Sequence, residues 1–571
     1  MTDTDKNGCR LIAECMSAYG VRHIVTSPGS RNAPLIMAFV RRKFFKVHSV
    51  VDERSAAFIA LGIAEITGEP VAVVCTSGTA VLNYAPALAE AFYRNIPLIA
   101  ISADRPVEWI GQNDSQTIHQ SGILPEILRK SVDIKGEICA EDEIWYSNRM
   151  LNDAMHAALF GVKGPIHINV SLSMPLTNTV SISDNDFLFH KIERIGCCDR
   201  VSMAQVRELA EYCHEKRILV VCTVNEPENK INRALGLLAS LPNAAVIAEG
   251  ISNVHAKDVH YACDFLFTSS AEEYSAMGLV PDLIISFGGP AVSVNLKKFL
   301  RDTNIAEHWH VGETDCAIDC FRKLTMRVEI APEGFFPRFA SAMAHRCRCH
   351  RTDCGYAGIW HRYADSKLKE VRTYMRGEGS HVWNAYLAMN RIMNGIPSDW
   401  NIQLSNGMTV RYALACDSIA DRHRVNGNRG TSGIDGSVST AVGASIAYKG
   451  ITLLITGDMS MQYDIGALAS NMVSPHIKII VFNNGGGGIF KYVKTTRDLP
   501  EANSYFCCDT DLPMKKIADA YGFRYLCASD DKQLLDSLDK LQSINERPVI
   551  LEIFTDAETD AEVFGHICKN K

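Results

Sequence analysis

The chain has 571 residues, 47% of them apolar and 22% charged, with a net charge of −7. That length exceeds what one core sustains and predicts three or four globular domains. The acidic balance excludes general nucleic-acid binding, and no apolar run reaches the roughly 18–20 residues that span a bilayer.

The start, Met1-Thr2-Asp3-Thr4-Asp5-Lys6, is polar and acidic and predicts no signal peptide. Nineteen scattered cysteines, some inside apolar runs (Cys75, Cys222, Cys263), read as reduced thiols of a cytoplasmic protein. Strand-like runs at 21–26, 47–51, 71–75 and 98–102 alternate with helical patterns. They end, in turn, at Ser27-Pro28-Gly29-Ser30-Arg31-Asn32, Asp52-Glu53-Arg54, Thr76-Ser77-Gly78-Thr79 and Ala103-Asp104-Arg105-Pro106. After the third run, Val81, Tyr84, Leu88 and Ala91 recur at helical spacing, which predicts β-α-β units and a parallel sheet. Four polar strand ends then share one edge of that sheet, and loops there carry function more often than the strands do.

A polar stretch at 181–186 closes this block. A second α/β block follows, with strands at 218–222, 244–248 and 282–286 and a helix at 229–240. Its strand ends, such as Thr223-Val224-Asn225-Glu226-Pro227, carry no recognisable chemistry. His345, Cys347, Cys349, His350 and Cys354 crowd into ten positions, but their spacing is that of neither a zinc finger nor a ribbon. This arginine-rich segment reads as a solvated connector between domains. No short repeat or low-complexity tract is visible.

In the third block, runs at 451–456 and 477–482 end at Gly457-Asp458 and at Asn483-Asn484-Gly485-Gly486. The 26-position offset from Asp458 to Asn484 fits a strand, a crossover helix and a second parallel strand. Taken singly, each cluster is a turn or a flexible loop. Together they set a carboxylate, a carboxamide and glycine backbone on the carboxyl edge of a sheet, where open α/β folds bind ligands. Such oxygen donors suit Mg²⁺, which in turn holds a diphosphate. The run Gly485–Gly488 is not a nucleotide-hydrolase phosphate loop, because no Gly-Lys-Ser/Thr follows; it allows close backbone approach.

Gly-Asp, then Asn-Asn at this spacing, resembles the signature of the thiamine-diphosphate enzyme family, with Met459 where most members have a third glycine. The resemblance implies an α/β chain of three doubly wound parallel-sheet domains. These would be a pyrimidine-binding domain at 1–185, a central domain at 186–350 and a diphosphate- and Mg²⁺-binding domain at 351–571. It implies thiamine diphosphate and Mg²⁺ (or Mn²⁺) as cofactors, with Asp458, Asn484 and the Gly486 carbonyl as metal ligands. Further cofactor contacts fall on Ser77, Gly78, Thr79 and Asn406, and on Gly457, Met459, Ser460, Ile489 and Phe490.

Ser460 and Tyr463-Asp464 resemble one branch of the family, the 2-succinyl-5-enolpyruvyl-6-hydroxy-3-cyclohexene-1-carboxylate synthases of menaquinone biosynthesis. So do the four strand-end motifs of the first block and Asn428-Arg429-Gly430-Thr431-Ser432-Gly433-Ile434-Asp435-Gly436. The branch's reaction decarboxylates 2-oxoglutarate and adds the resulting carbanion to isochorismate. The resemblance makes Glu53 the carboxylate at N1′ of the aminopyrimidine, which favours the tautomer whose N4′ removes the C2 proton. A partly buried Glu in that role holds its proton more readily than in water. Ile434 becomes the stiff β-branched wedge that bends the cofactor. By position alone, Glu53 reads as an acid of a first helical turn and Ile434 as core packing. Both substrates are dicarboxylates and call for local cations. Arg31, Arg105, Arg411 and Arg429 stand at the branch's positions for this, with Ser30 and Gln116 as polar partners; a lone Arg would otherwise be a solvated surface charge.

Two departures bear on the substrates. The branch's Lys-Arg pair is missing from Gly288-Gly289-Pro290-Ala291-Val292-Ser293-Val294-Asn295, although Lys297 and Lys298 follow. Gly407 also stands where some members have Ser. The competing readings are another thiamine-diphosphate 2-oxo-acid decarboxylase or carboligase, and a non-catalytic cofactor-binding homologue; intact Glu53, Asp458 and Asn484 argue against the latter. The resemblance further implies a homodimer in which Glu53 and the Mg²⁺ ligands serving one cofactor come from different subunits, and it leaves pairing into tetramers open.

Overall fold

The computed structural model describes residues 2–182, 189–195, 201–261, 263–346, 355–375, 382–422, 424–508 and 511–568. Its strands, in chain order, are β1 (Thr2–Thr4), β2 (His23–Thr26), β3 (Lys46–Ser49), β4 (Val71–Cys75), β5 (Leu98–Asp104), β6 (Lys130–Lys135), β7 (Ile166–Ser171) and β8 (Thr179–Ser181). They continue with β9 (Ile218–Cys222), β10 (Ala244–Ala248), β11 (Leu283–Phe287), β12 (Glu307–Val311) and β13 (Leu324–Val328). The last are β14 (Asn401–Leu404), β15 (Arg424–Asn426), β16 (Thr452–Gly457), β17 (Ile477–Asn483), β18 (Arg524–Ala528) and β19 (Val549–Phe554).

Two compact units result. The first comprises Met1–Gly196, Asn428–Thr452 and Met461–Ile477. It holds a six-stranded parallel sheet in the order β3-β2-β4-β5-β7-β6 and an antiparallel ribbon of β1 with β8. The second comprises Cys197–Gly427, Leu453–Ser460 and Lys478–Lys571. It contains the parallel sheet β10-β9-β11-β12-β13 and nearly all of the sheet β15-β14-β16-β17-β19-β18. The α/β class with doubly wound parallel sheets is therefore as expected.

Strands covered on both faces read as continuous apolar runs, as β4 (Val-Ala-Val-Val-Cys) and β9 (Ile-Leu-Val-Val-Cys) do, and all ten of these residues are buried. Leu11, Phe39, Ile99, Ile101 and Ile168 anchor the core of the first sheet; Val220, Val246, Ile285, Trp309 and Phe335 anchor that of β9–β13. The strand order of the three sheets reverses between β2 and β4, β9 and β11, and β14 and β16, and the first and last sheets reverse again at their β7-β6 and β19-β18 edges. Ligands of open α/β sheets bind at such reversals.

The run at 81–91 is not one α-helix: a 3₁₀ segment, Gly78–Tyr84, precedes the α-helix Ala85–Tyr93. Pro86 lacks a donor N–H and clashes inside a helix, so it sits in the first turn and the α-helix starts there. Strand β7 escapes the apolar pattern because His167 and Asn169 are buried within it; both bond the Ser102 hydroxyl of β5, at 2.7 and 2.9 Å. His345 lies in the last turn of the helix Pro332–Arg346, whereas residues 347–354 of the Cys/His cluster, Cys197-Cys198 and the expected boundaries near 185 and 350 lie outside the described residues. Among the described residues no helix is long and apolar enough to cross a membrane.

In the first unit, helix Glu53–Thr67 packs against helix Ser437–Ala447 through two glycines. A Cβ on Gly62 would stand 2.0 Å from the Thr440 carbonyl oxygen, and one on Gly443 would stand 2.0 Å from that of Ile59. Asp464 ties the pair at one end: it is fully buried and accepts from the Ser439 N–H at 2.7 Å and the Ser439 hydroxyl at 2.9 Å. Arg54 lies 3.8 Å from the same carboxylate and stacks on Tyr463.

Gly62→Ala is expected to lower stability by about 1–3 kcal/mol despite the better helix propensity of Ala, because backbone must move. Gly565→Ala, where a Cβ meets nothing within 4 Å, is expected to be neutral or stabilising. Urea unfolding of the two variants separates these outcomes. Burial raises the Asp464 carboxyl to about pH 6, against the Ser439 hydrogen bonds. The folded state thus keeps a proton that the unfolded state gives up near its ordinary value of 3.8. The stability contributed by this group is complete below that value and is lost as pH rises through about 6. Asp464→Asn is therefore expected to flatten the pH dependence of unfolding between those values, and an unchanged profile would sink this assignment.

Candidate cofactor site

Within the second unit, β14 and β16 meet at a strand-order reversal, and their carboxyl ends lead into Asn406-Gly407 and Asp458. A Cβ on Gly457 would lie 3.8 Å from the Thr409 hydroxyl, so the two loops adjoin. Asp458 opens the helix Asp458–Tyr463, where an acid favours the positive helix end. Its carboxylate is buried, accepting from the Met459 N–H at 2.7 Å and the Gly486 N–H at 2.9 Å. Asp458 and the glycine loop, predicted to share an edge, are thus in contact. Burial raises the Asp458 pKa to about 6, against the surrounding backbone N–H groups.

The glycine run has specific geometry. Gly485 and Gly486 have φ of 81° and 148°, values that favour glycine. A Cβ on Gly486 would stand 2.5 Å from the Cys507 carbonyl, which also accepts the Gly487 N–H at 2.6 Å. The backbone of Cys507 therefore clamps this loop, a role the sequence did not suggest for Cys507-Cys508. The Asn484 carboxamide packs over Gly488, where a Cβ would lie 2.6 Å from its nitrogen. Asp560, fully buried on the last helix, accepts from the Ala385 N–H at 2.7 Å and the Thr555 hydroxyl at 2.8 Å and takes a hydrogen bond from the Asn484 side chain.

Asp458 offers a carboxylate, and the loop whose backbone it holds carries the Asn484 carboxamide and the Gly486 carbonyl, all hard oxygens that fit Mg²⁺ better than a soft metal. A divalent cation there would also relieve a buried carboxylate whose pKa is raised. Asp458, Asn484 and Gly486 thus fit the metal role. Ser460 and Asn406 are buried beside this edge, Met459 Sδ would lie 3.1 Å from a Cβ on Gly487, and Ile489 and Phe490 follow in the turn Gly488–Lys491. Arg411 turns one guanidinium N–H onto the Gly407 carbonyl. Gly407 has φ of 88°, so the glycine found in place of Ser suits the backbone here.

The remaining predicted residues lie in the first unit. Loops after β2 and β4 adjoin at that sheet's reversal, where a Cβ on Gly29 would reach 2.4 Å from Thr76. Gly78, at φ 88°, faces the backbone of Gln116, itself at φ 55°, and donates its N–H to Gln120 at 2.8 Å. Ser77 is buried, whereas Ser30, Thr79 and Gln116 are exposed. Arg31 is buried and donates to the Leu172 carbonyl at 2.8 Å; burial, then the neighbouring Arg105 charge, lowers its pKa. Arg105 pairs with Asp114 at 3.1 Å and donates to the Ser115 carbonyl at 3.0 Å.

Glu53 starts its helix half-buried, behind the cap made by Asp52, whose carboxylate accepts from the Arg54 N–H and the Ser55 hydroxyl. Among the described residues the Glu53 carboxylate has no hydrogen-bond or ion-pair partner. Arg429 is buried on the loop before helix Ser437–Ala447, and Ile434 is half-buried there. Glu90 shapes this loop: its buried carboxylate accepts from the Gly430 N–H at 2.8 Å and from the Thr431 N–H and hydroxyl at 2.7 and 2.9 Å. No sequence signal marks Glu90, because its partners lie some 340 positions away.

The segment lacking Lys-Arg caps the helix Val294–Asp302. The buried Glu249 carboxylate accepts its Val292 and Ser293 N–H groups at 2.9 and 2.6 Å. Lys297 donates back to the Ala291 carbonyl at 3.3 Å, and Lys298 is exposed. An acid therefore organises the segment in which the resemblance would place two cations.

Comparison with known proteins agrees with this geometry. Residues 6–123 match the N-terminal, and residues 406–553 the C-terminal, TPP-binding domain of thiamine pyrophosphate enzymes. The chain is 37% identical to a 2-succinyl-5-enolpyruvyl-6-hydroxy-3-cyclohexene-1-carboxylate synthase of Porphyromonas gingivalis, covering 98% of this chain and 96% of that one. Proteins of the same name from Flavobacterium johnsoniae and Bacteroides fragilis are 35% and 33% identical, over 95% and 99% of this chain and 95% and 100% of theirs. With such likeness along nearly its whole length, the chain belongs to the 2-succinyl-5-enolpyruvyl-6-hydroxy-3-cyclohexene-1-carboxylate synthase family of thiamine pyrophosphate enzymes.

Proposed function

We propose that the chain carries out the synthase reaction of menaquinone biosynthesis: thiamine-diphosphate-dependent decarboxylation of 2-oxoglutarate and conjugate addition of the succinyl carbanion to isochorismate. The observation that carries this reading is the 37% identity over 98% of the chain to a protein named for that product. The domain ranges 1–185, 186–350 and 351–571 are proposed on the same ground, and each would contain one of the three parallel sheets.

Thiamine diphosphate, when bound, supplies the electron sink for the carbon that loses CO₂. Asp458, Asn484 and the Gly486 carbonyl would hold Mg²⁺ and through it the diphosphate. Glu53 would hold a proton at N1′ of the aminopyrimidine; its carboxylate, without a protein partner among the described residues, supports that role. Ile434 would pack under the cofactor, with Ser77, Gly78 and Thr79 beside it. The substrate carboxylates would be oriented by Arg31, Arg105, Arg411 and Arg429, with Ser30 and Gln116. In this chain the central segment at 288–295 contributes no cation to that set.

A coupled assay with 2-oxoglutarate, with and without isochorismate, tests the activity: product is expected only when both are present. CO₂ release from other 2-oxo acids without 2-oxoglutarate would favour a different decarboxylase or carboligase. Glu53→Gln is expected to lower kcat by at least about 100-fold while Mg²⁺-dependent cofactor binding persists, the range for loss of a proton-handling group. Undiminished turnover would remove Glu53 from the mechanism.

We further propose a homodimer in which one subunit's Glu53 serves the cofactor held by the other subunit's Asp458. Mixing and reassociating inactive Glu53→Gln and Asp458→Asn chains is expected to restore up to about a quarter of wild-type activity, since mixed dimers would carry one intact site. No recovery from chains shown to have exchanged would place both residues in one subunit's site.

A further inference from the structure

We propose that a cavity of about 800 Å³ at the carboxyl ends of β9 and β10 binds a small organic oxyanion, a phosphate ester or a carboxylate, at a site that shares no residue with the cofactor site. The lining comes from the segment after β9 (Pro227, Asn229, Arg233), from residues 255–257 after β10, and from residues 420–422. All of these lie in the second unit.

The central observation is Arg422. This residue is 4% exposed, yet its guanidinium has no carboxylate within ion-pair distance among the described residues. One N–H donates to the Ile396 carbonyl at 2.7 Å, and the buried Nε has no acceptor among the described residues. Burying a guanidinium without a counter-charge is costly, and natural chains pair it or leave it room for an anion. Asp421, next to it, is the single acid among the described lining residues and is itself exposed. Arg233 and Lys257 line the same cavity, and neither has an ion-pair partner among the described residues. Three cations thus face one carboxylate.

His255 donates from Nδ1 to the Ala420 carbonyl at 2.5 Å, so its Nε2, buried and without a partner among the described residues, is an acceptor whenever the ring is neutral and meets an oxyanion only through a bridging water or a ligand hydroxyl. Its backbone N–H is held by the Asn232 side chain at 3.1 Å, so the ring is fixed from two sides. Helix Asn229–Ala239 begins at the cavity and adds its positive end, although Glu228 caps the Lys230 N–H at 2.9 Å. The apolar lining is small, Gly236 and Ala256 among it, and among the described residues no Phe, Tyr or Trp lines the cavity. Recognition there would rest on charge rather than stacking. The volume is that of a small-molecule site and exceeds what inorganic phosphate fills.

The test uses the full-length chain saturated with thiamine diphosphate and Mg²⁺, so that the diphosphate site is filled. Isothermal titration with 2-phosphoglycolate, tricarballylate and inorganic phosphate is run against chloride at matched ionic strength. At least one organic probe is expected to bind one per chain with Kd at or below about 1 mM. Binding of 2-phosphoglycolate alone assigns a phosphate ester, and binding of tricarballylate alone assigns a carboxylate. The double variant Arg233→Ala/Lys257→Ala is expected to weaken binding at least about tenfold, with turnover and Tm without probe unchanged. Arg422→Met is expected to abolish binding; should it fail to fold, the double variant decides. No binding of any probe up to about 10 mM, or binding that the double variant leaves intact, overturns the proposal.

Discussion

A buried carboxylate that gathers backbone N–H groups from a distant loop is the interaction on which this chain's strand ends depend. Asp458 takes those of Met459 and Gly486, Glu90 those of Gly430 and Thr431, and Glu249 those of Val292 and Ser293. Asp464 and Asp560 do the same for Ser439 and Ala385. Loops rich in glycine have little conformational preference of their own, and a charge-assisted acceptor gives them one. Burial opposes this: Asp458, Asp464 and Asp560 are each raised to about pH 6. The fold tolerates these carboxylates because each satisfies several donors at once.

The same chemistry sorts the charges of a net-acidic protein that handles anions. Acids are turned inward onto backbone, while Arg31 and Arg105 stand near enough for one to lower the pKa of the other. Like charges so placed suit an anionic ligand. In the central segment the pattern inverts, because Glu249 rather than a Lys-Arg pair organises the loop. The second unit's Arg422 is the counterpart of these acids: a buried charge without an ion-pair partner among the described residues.

Glycine acts in two distinct ways. At Gly485 and Gly486 it admits a backbone conformation that other residues resist, bringing the loop against Asp458 and Cys507. At Gly62 and Gly443 the backbone is ordinary helix, and what matters is the missing Cβ, which lets two helices touch through their carbonyls. Thereby helix Glu53–Thr67, which carries Glu53 at its first residue, is fixed against the helix that follows Arg429 and Ile434.

The strand ends and the polar clusters that close them were legible in the residues alone. An apolar run closed by a polar cluster is a local pattern, and the Gly-Asp and Asn-Asn pair lies only a crossover apart. Hence the parallel sheets, the contact of Asp458 with the glycine loop and the family were within reach. Glu90, Glu249 and Asp560 were not, since an isolated acid in an apolar helix or loop has no local signature and its partners lie up to about 340 positions away. Pro86 moved a helix start, and buried His167 and Asn169 hid a strand, because hydrogen bonds to neighbouring strands outweigh the polarity of those side chains. Sequence alone determined which polar clusters close the strands and which family the chain belongs to, because composition and spacing are properties of the chain. Tertiary structure decided how those loops are held and which charges go unpaired, because both depend on what distant segments bring into contact.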